Sequence, residues 1–139
     1  PFLVVLGLKI RRTGRRRNAA TAQERLVGAW DEIVDRARDL GFQPAQSRTR
    51  RETASELQRL HPGIAFAETA ERINTAVYGP APPEAPVAET AWRVTDGITH
   101  ELVKDLPWYR RALVALSLRS LRRTKVEPSI TPQEEPDGT

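Results

Sequence analysis

Two four-residue stretches, Thr21-Ala22-Gln23-Glu24 and Thr49-Arg50-Arg51-Glu52, constrain this chain more than anything else in its 139 residues. Each has the form S/T-x-x-E, in which the threonine hydroxyl accepts an orphan backbone N–H and the glutamate carboxylate reaches back to the threonine N–H. Each predicts where a helix begins. Behind the first, Leu26, Trp30, Ile33, Ala37 and Leu40 recur at spacings of three and four, and Gly41 follows as a stop. Behind the second, Ala54, Leu57 and Leu60 mark a shorter helix that ends at the His61-Pro62-Gly63 break.

The same period predicts a third helix from about Ile64 to Tyr78, with Phe66, Ala70, Ile73 and Val77 on one face and Gly79-Pro80 at its end. After the spacer PAPPEAP, Val87, Ala91, Val94, Ile98 and Leu102 define a fourth, with Trp92 and Leu106 beside them, until Pro107 interrupts. Gly28 and Gly97 fall inside helices, where close helix packing explains them most economically. With no alternating β-branched run and no Asn-Gly hairpin signal, the expected fold is all-α: a small bundle of three to four helices.

A chain of this length holds one modest core. With no cysteine, disulfides, thiolate nucleophiles and cysteine-ligated zinc are excluded, and no methionine is present either, so the sequence is expected to be a piece of a longer product or a processed one. The net charge of +4 is unevenly distributed. Residues 1–18 hold Lys9, Arg11, Arg12, Arg15, Arg16 and Arg17 with no acid, and residues 107–125 hold Arg110, Arg111, Arg119, Arg122, Arg123 and Lys125 with none. Acids outnumber bases between these flanks. The expected organisation is therefore a basic opening segment (1–18), a helical domain (19–106), a basic, partly amphipathic helix (107–123) and a Pro-rich acidic tail (124–139) that reads as disordered.

The opening PFLVVLGLKIRRTGRRR passes from an uncharged run to clustered cations, the pattern of a membrane helix leaving the bilayer on the cytoplasmic side. The run is too short to span. Eight helical residues rise only about 12 Å, against a hydrocarbon core of about 30 Å, so the expectation is the truncated end of a membrane helix whose first half lies upstream. A buried N-terminal element with a basic loop is the alternative. The cations of both flanks are expected to face anionic lipid of the cytoplasmic leaflet at the cell membrane. For residues 107–123, docking on the core through Leu113 and Leu116 competes with docking on the membrane.

Few residues suggest chemistry. His61 precedes a proline in a helix break and His100 lies within a helix; neither belongs to an HExxH motif, and no cofactor or metal site is expected. Asp31, Asp35 and Asp39 are aligned at i, i+4 and i+8 on one helix face, flanked by Arg36 and Arg38. That spacing is wrong for a calcium loop. It suits a solvated face, or else an acidic docking face. Ser129 and Thr131 in the acidic tail are candidates for phosphorylation, where a phosphate would add about −1.5 to −2 charges without disturbing a core. Nucleic-acid binding through Arg48, Arg50 and Arg51 is an alternative disfavoured by the long connection between the first two helices and by Glu52 and Glu56 nearby. An enzyme of unrecognised type is a further alternative, and would need a concave site with converging polar groups.

The order of these features resembles the C-terminal cytoplasmic region of actinobacterial membrane proteins of the transglutaminase-like family, a helical segment related to the DUF4129 group. The residues that carry the resemblance are the apolar-to-arginine exit at Leu8 to Arg17, ERLVGAWDEIVDRARDLG, TRRE at Thr49 to Glu52, RINTAVYGPAPPE and WYRRALVALSLRSLRR. It implies a non-catalytic cytoplasmic accessory domain of a membrane-anchored protein, serving regulation or partner docking. It also implies a protein partner, with a MoxR-type ATPase as the candidate. The family's Cys-His-Asp site has no counterpart here, since cysteine is absent.

Overall fold

A computed structural model of the chain describes residues 2–45 and 48–117, and these fold into helices with no strand among them. In order they are α1 (Phe2–Arg17), α2 (Ala22–Asp39), α3 (Arg50–Leu60), α4 (Phe66–Tyr78), α5 (Ala85–Val103) and α6 (Trp108–Leu116). Six helices among the described residues exceed the three or four expected of the bundle, because the opening segment and the segment after Pro107, expected as a membrane-helix end and a separate basic helix, both pack on it.

Both capping boxes form. Glu24 N–H donates to Thr21 Oγ1 at 3.1 Å while Thr21 N–H donates to Glu24 Oε2 at 3.2 Å, and Thr49 with Glu52 repeats the arrangement. α2 ends where Gly41 takes φ 104°, the left-handed conformation that a side chain would oppose. α2 is the axis of the molecule, touching α1, α4, α5 and α6. α3 and α4 form an antiparallel pair, with Arg51 Nη2 2.9 Å from Glu71 Oε2 near one end and Gln58 accepting from Ala67 N–H at the other. Leu26, Ile33, Leu57, Phe66 and Ile73 are almost wholly enclosed in the resulting core, each contributing about 1.5–3 kcal/mol by burial.

The stripe of α5 is turned from the one expected. Ala88, Trp92, Thr95, Ile98 and Leu102 face inward, whereas Val87 and Val94 are exposed. The reason is polar as much as apolar: Trp92 Nε1 donates to the Arg25 carbonyl at 3.1 Å and Thr95 Oγ1 to the Ala29 carbonyl at 3.3 Å. These two bonds set α5 running in the same direction as α2. Leu60 is likewise exposed, outside the α3 stripe. Gly28 is buried beneath Arg16 of α1, so close packing accounts for it; Gly97 faces open space, and packing does not.

Candidate functional site

α1 lies antiparallel along α2, and the contact between them is built from charge. No residue of α1 is fully buried. At spacings of three and four, Lys9, Arg12, Thr13 and Arg16 share one helix face. Lys9 Nζ is 2.7 Å from Asp39 Oδ2 and donates to the Val114 carbonyl in the last turn of α6 at 3.0 Å. Arg12 Nη2 stands 3.4 Å from Asp35 Oδ2. Arg16 Nη1 is 2.7 Å from Asp35 Oδ2 and 3.2 Å from Glu32 Oε2, while its Nη2 is 3.9 Å from Asp31. Thr13 Oγ1 donates to Glu32 at 3.0 Å, and Arg38 of α2 itself reaches Asp35 Oδ1 at 3.1 Å.

The aspartate row is therefore not the solvated face that its flanking arginines suggest. Asp35 is 2% exposed and Asp39 7%, and Asp31 is half-buried. A carboxylate taken out of water is tolerated only when opposite charge and hydrogen bonds replace the lost hydration. α1 supplies both. The row is a docking face whose occupant is the chain's own first helix. Its sequence signal was available: cations at 9, 12 and 16 and acids at 39, 35 and 31 are two ladders at helical spacings of three or four, matched in order when the helices run antiparallel.

Arg17 belongs to the same interface on its α5 side, 2.5 Å from Asp96 Oδ1, with its guanidinium 4.6 Å from the centre of the Trp92 ring. Arg11 and Arg15 are exposed. Of the six cations in the opening cluster, four thus hold the fold together and two face solvent.

Since Lys9 is level with Asp39, the last residue of α2, residues 2–8 continue roughly 10 Å beyond it at the helical rise. Phe2, Leu3, Val4, Leu6 and Leu8 are exposed there over most of the circumference, whereas Val5 is half-buried. No helix among the described residues is long and apolar enough to cross a membrane.

The second basic cluster divides as well. Arg111 turns back on α5, its Nε donating to the Val103 and Leu106 carbonyls at 3.1 and 3.0 Å and its Nη2 to the Lys104 carbonyl, so it caps that helix. Arg110 is exposed. Arg119, Arg122 and Arg123, together with Ser129 and Thr131, lie outside the described residues. α6 docks through Val114; Leu113, expected to dock, is 65% exposed, and Leu116 is half-buried. The carbonyl taken by Lys9 and the capping by Arg111 orient α6 with Val114 inward.

The remaining sequence candidates do not converge. His61 and His100 are both exposed on different elements. Arg48 pairs with Glu56, Arg50 donates to Asn74 and Arg51 pairs with Glu71, so all three carry local partners. An apolar groove of about 500 Å³ lies between α4 and α5, with Leu26, Ile73, Val87, Ala91 and Val94 on its walls. Its polar members are engaged locally: Thr69 and Thr90 donate to carbonyls of their own helices, and Arg72 pairs with Glu68 at 2.6 Å. Among the described residues no cluster of His, Asp or Glu is arranged to hold a metal ion.

No family model, curated protein or solved structure matches this chain.

Proposed function

We propose that this is a non-catalytic, membrane-proximal docking domain, in which the apolar half of α1 enters the lipid and its basic half is clamped to α2. The observation that carries this is the division of one helix. Residues 2–8 are exposed over most of their circumference, with Val5 alone half-buried, while Lys9, Arg12 and Arg16 are tied to α2. A protein groove covers one face of a helix, whereas hydrocarbon covers all of them. Clustered cations just after the apolar run favour the cytoplasmic side, with Arg11, the exposed cation nearest that run, directed at headgroups. The function is then to present the bundle at a fixed place under the bilayer, for regulation or for docking of a partner protein. That role agrees with the accessory domain of the transglutaminase-like membrane proteins that the sequence resembles, where a MoxR-type ATPase would be the partner to test first.

Flotation of the full chain with vesicles tests this. We expect co-flotation that increases with the anionic lipid fraction and is lost when Leu3 and Val4 are both replaced by Asp. A chain that stays at the bottom of the gradient, or that floats regardless of these substitutions, overturns it.

A further inference from the structure

α6 wears its apolar surface on the outside. At 100° per residue, Trp108, Ala112, Leu116, Tyr109 and Leu113 fill one continuous arc of about 140°, and no charge lies within it. Arg110 and Arg111 flank that arc, and Val114 sits on the opposite side, facing the bundle. Trp108 is 81% exposed, Leu113 65% and Tyr109 52%, with the Trp108 and Tyr109 rings packed edge to face, 6.1 Å apart. An amphipathic helix in a lone soluble domain turns such an arc toward its core. Here Val114 is the one buried residue of the helix, Ala115 and Leu116 are half-buried, and the rings of Trp108 and Tyr109 stay outside.

The position of the arc says what covers it. Lys9 joins the Val114 carbonyl at the level where the apolar half of α1 begins, and Leu6 and Ala115 line one cleft. α6 therefore stands beside the apolar half of α1, whose remaining sides are exposed. The charges on and beside α6 carry an excess of cations: Arg110 is exposed and Arg111 flanks the arc, Lys104 is paired with Glu101 at 2.6 Å, and the exposed Asp105 opposes them. Trp and Tyr are the side chains that settle where hydrocarbon meets headgroups, with an apolar ring body and a polar edge.

We propose that α6 is an interfacial helix, lying in the plane of an anionic lipid surface with Trp108, Tyr109 and Leu113 inserted at headgroup depth. This rests on the placement of α1 in lipid and adds a second contact that fixes the tilt of the bundle. One membrane segment leaves a domain free to swivel; a second, set to the side, removes that rotation.

Trp108 makes the test direct, since Trp30 and Trp92 are 5% and 4% exposed. The full chain would be mixed with anionic vesicles containing lipid brominated at shallow or deep acyl positions, and tryptophan emission recorded. We expect a blue shift and quenching that is stronger for the shallow label, both absent from Trp108→Phe. Leu113→Asp should weaken vesicle affinity about tenfold, the equivalent of losing burial of one leucine. A chain that floats through α1 while its Trp108 emission stays unquenched overturns this inference and leaves the α1 reading intact. Quenching at Trp108 that persists in the Leu3→Asp, Val4→Asp variant leaves α6 as a lipid contact by itself and overturns both the α1 reading and the two-point attachment that rests on it. A concentration-dependent dimer abolished by Leu113→Asp assigns the arc to a second copy and overturns the lipid proposal, as does an absence of all vesicle binding.

Discussion

A Cβ placed on Gly28 would stand 2.8 Å from Arg16 Cβ, so α1 and α2 meet there in a contact that only glycine permits. The crowding atom is the root of the Arg16 side chain, fixed to the helix backbone. Ordinarily Gly to Ala within a helix gains about 0.5–1 kcal/mol. Here the gain competes with displacement of α1 and of the ion pairs that Arg16 makes. We expect Gly28→Val to release α1 while the α2–α5 core stays folded. Hydrogen exchange would read this as lost protection in residues 9–17 alone; protection unchanged in both helices would show that the interface yields without cost.

Breaking the Lys9 contact should cost more than an exposed ion pair, because Asp39 would remain buried. Lys9→Ala is expected to destabilise by about 3 kcal/mol, in the range for removing one partner of a buried pair. The double change Lys9→Met, Asp39→Leu should recover most of that loss, since apolar replacement of both partners is often neutral. Urea denaturation of the four forms gives the cycle. A loss below about 0.5 kcal/mol for Lys9→Ala would place the pair among surface contacts.

Trp30 lies mid-stripe on α2 and is 5% exposed. Trp30→Ala should therefore cost about 3–5 kcal/mol. Trp92→Phe should cost less, about 1 kcal/mol, because the ring volume is mostly kept and the bond to the Arg25 carbonyl is lost. Chemical denaturation ranks the two, and the reverse order would contradict the packing described.

The second capping box carries a pH signature. Hydrogen bonds from the Thr49 N–H and hydroxyl hold the Glu52 carboxyl below the usual glutamate range. A depressed folded-state value means the carboxylate's contribution is fully present above the unfolded-state value and is lost as pH falls through the folded one. The start of α3 should fray on acidification, and Glu52→Gln should remove that dependence. An NMR titration of the Glu52 side chain checks the direction; a midpoint at or above the ordinary glutamate value would refute it.

What the sequence by itself determined was local. Thr21 and Thr49 with their glutamates located two helix starts, Gly41 one stop, and the three-and-four spacing the inward faces of α2 and α4, because caps and periodicity depend on residues within a turn or two of each other. Tertiary structure alone decided how charge and exposure were assigned. Asp35 reads as solvated until Arg12 and Arg16, about twenty residues earlier, are seen to cover it, and a charge has no fixed meaning until its neighbour across the interface is known. The same holds for α5, which turned Val87 and Val94 outward because Trp92 and Thr95 found carbonyls on α2. It holds for α6, where Lys9 and Arg111 set Val114 inward and left Trp108 and Leu113 outside. Periodicity shows that a helix has a face, but the direction it looks depends on contacts between residues far apart in the chain.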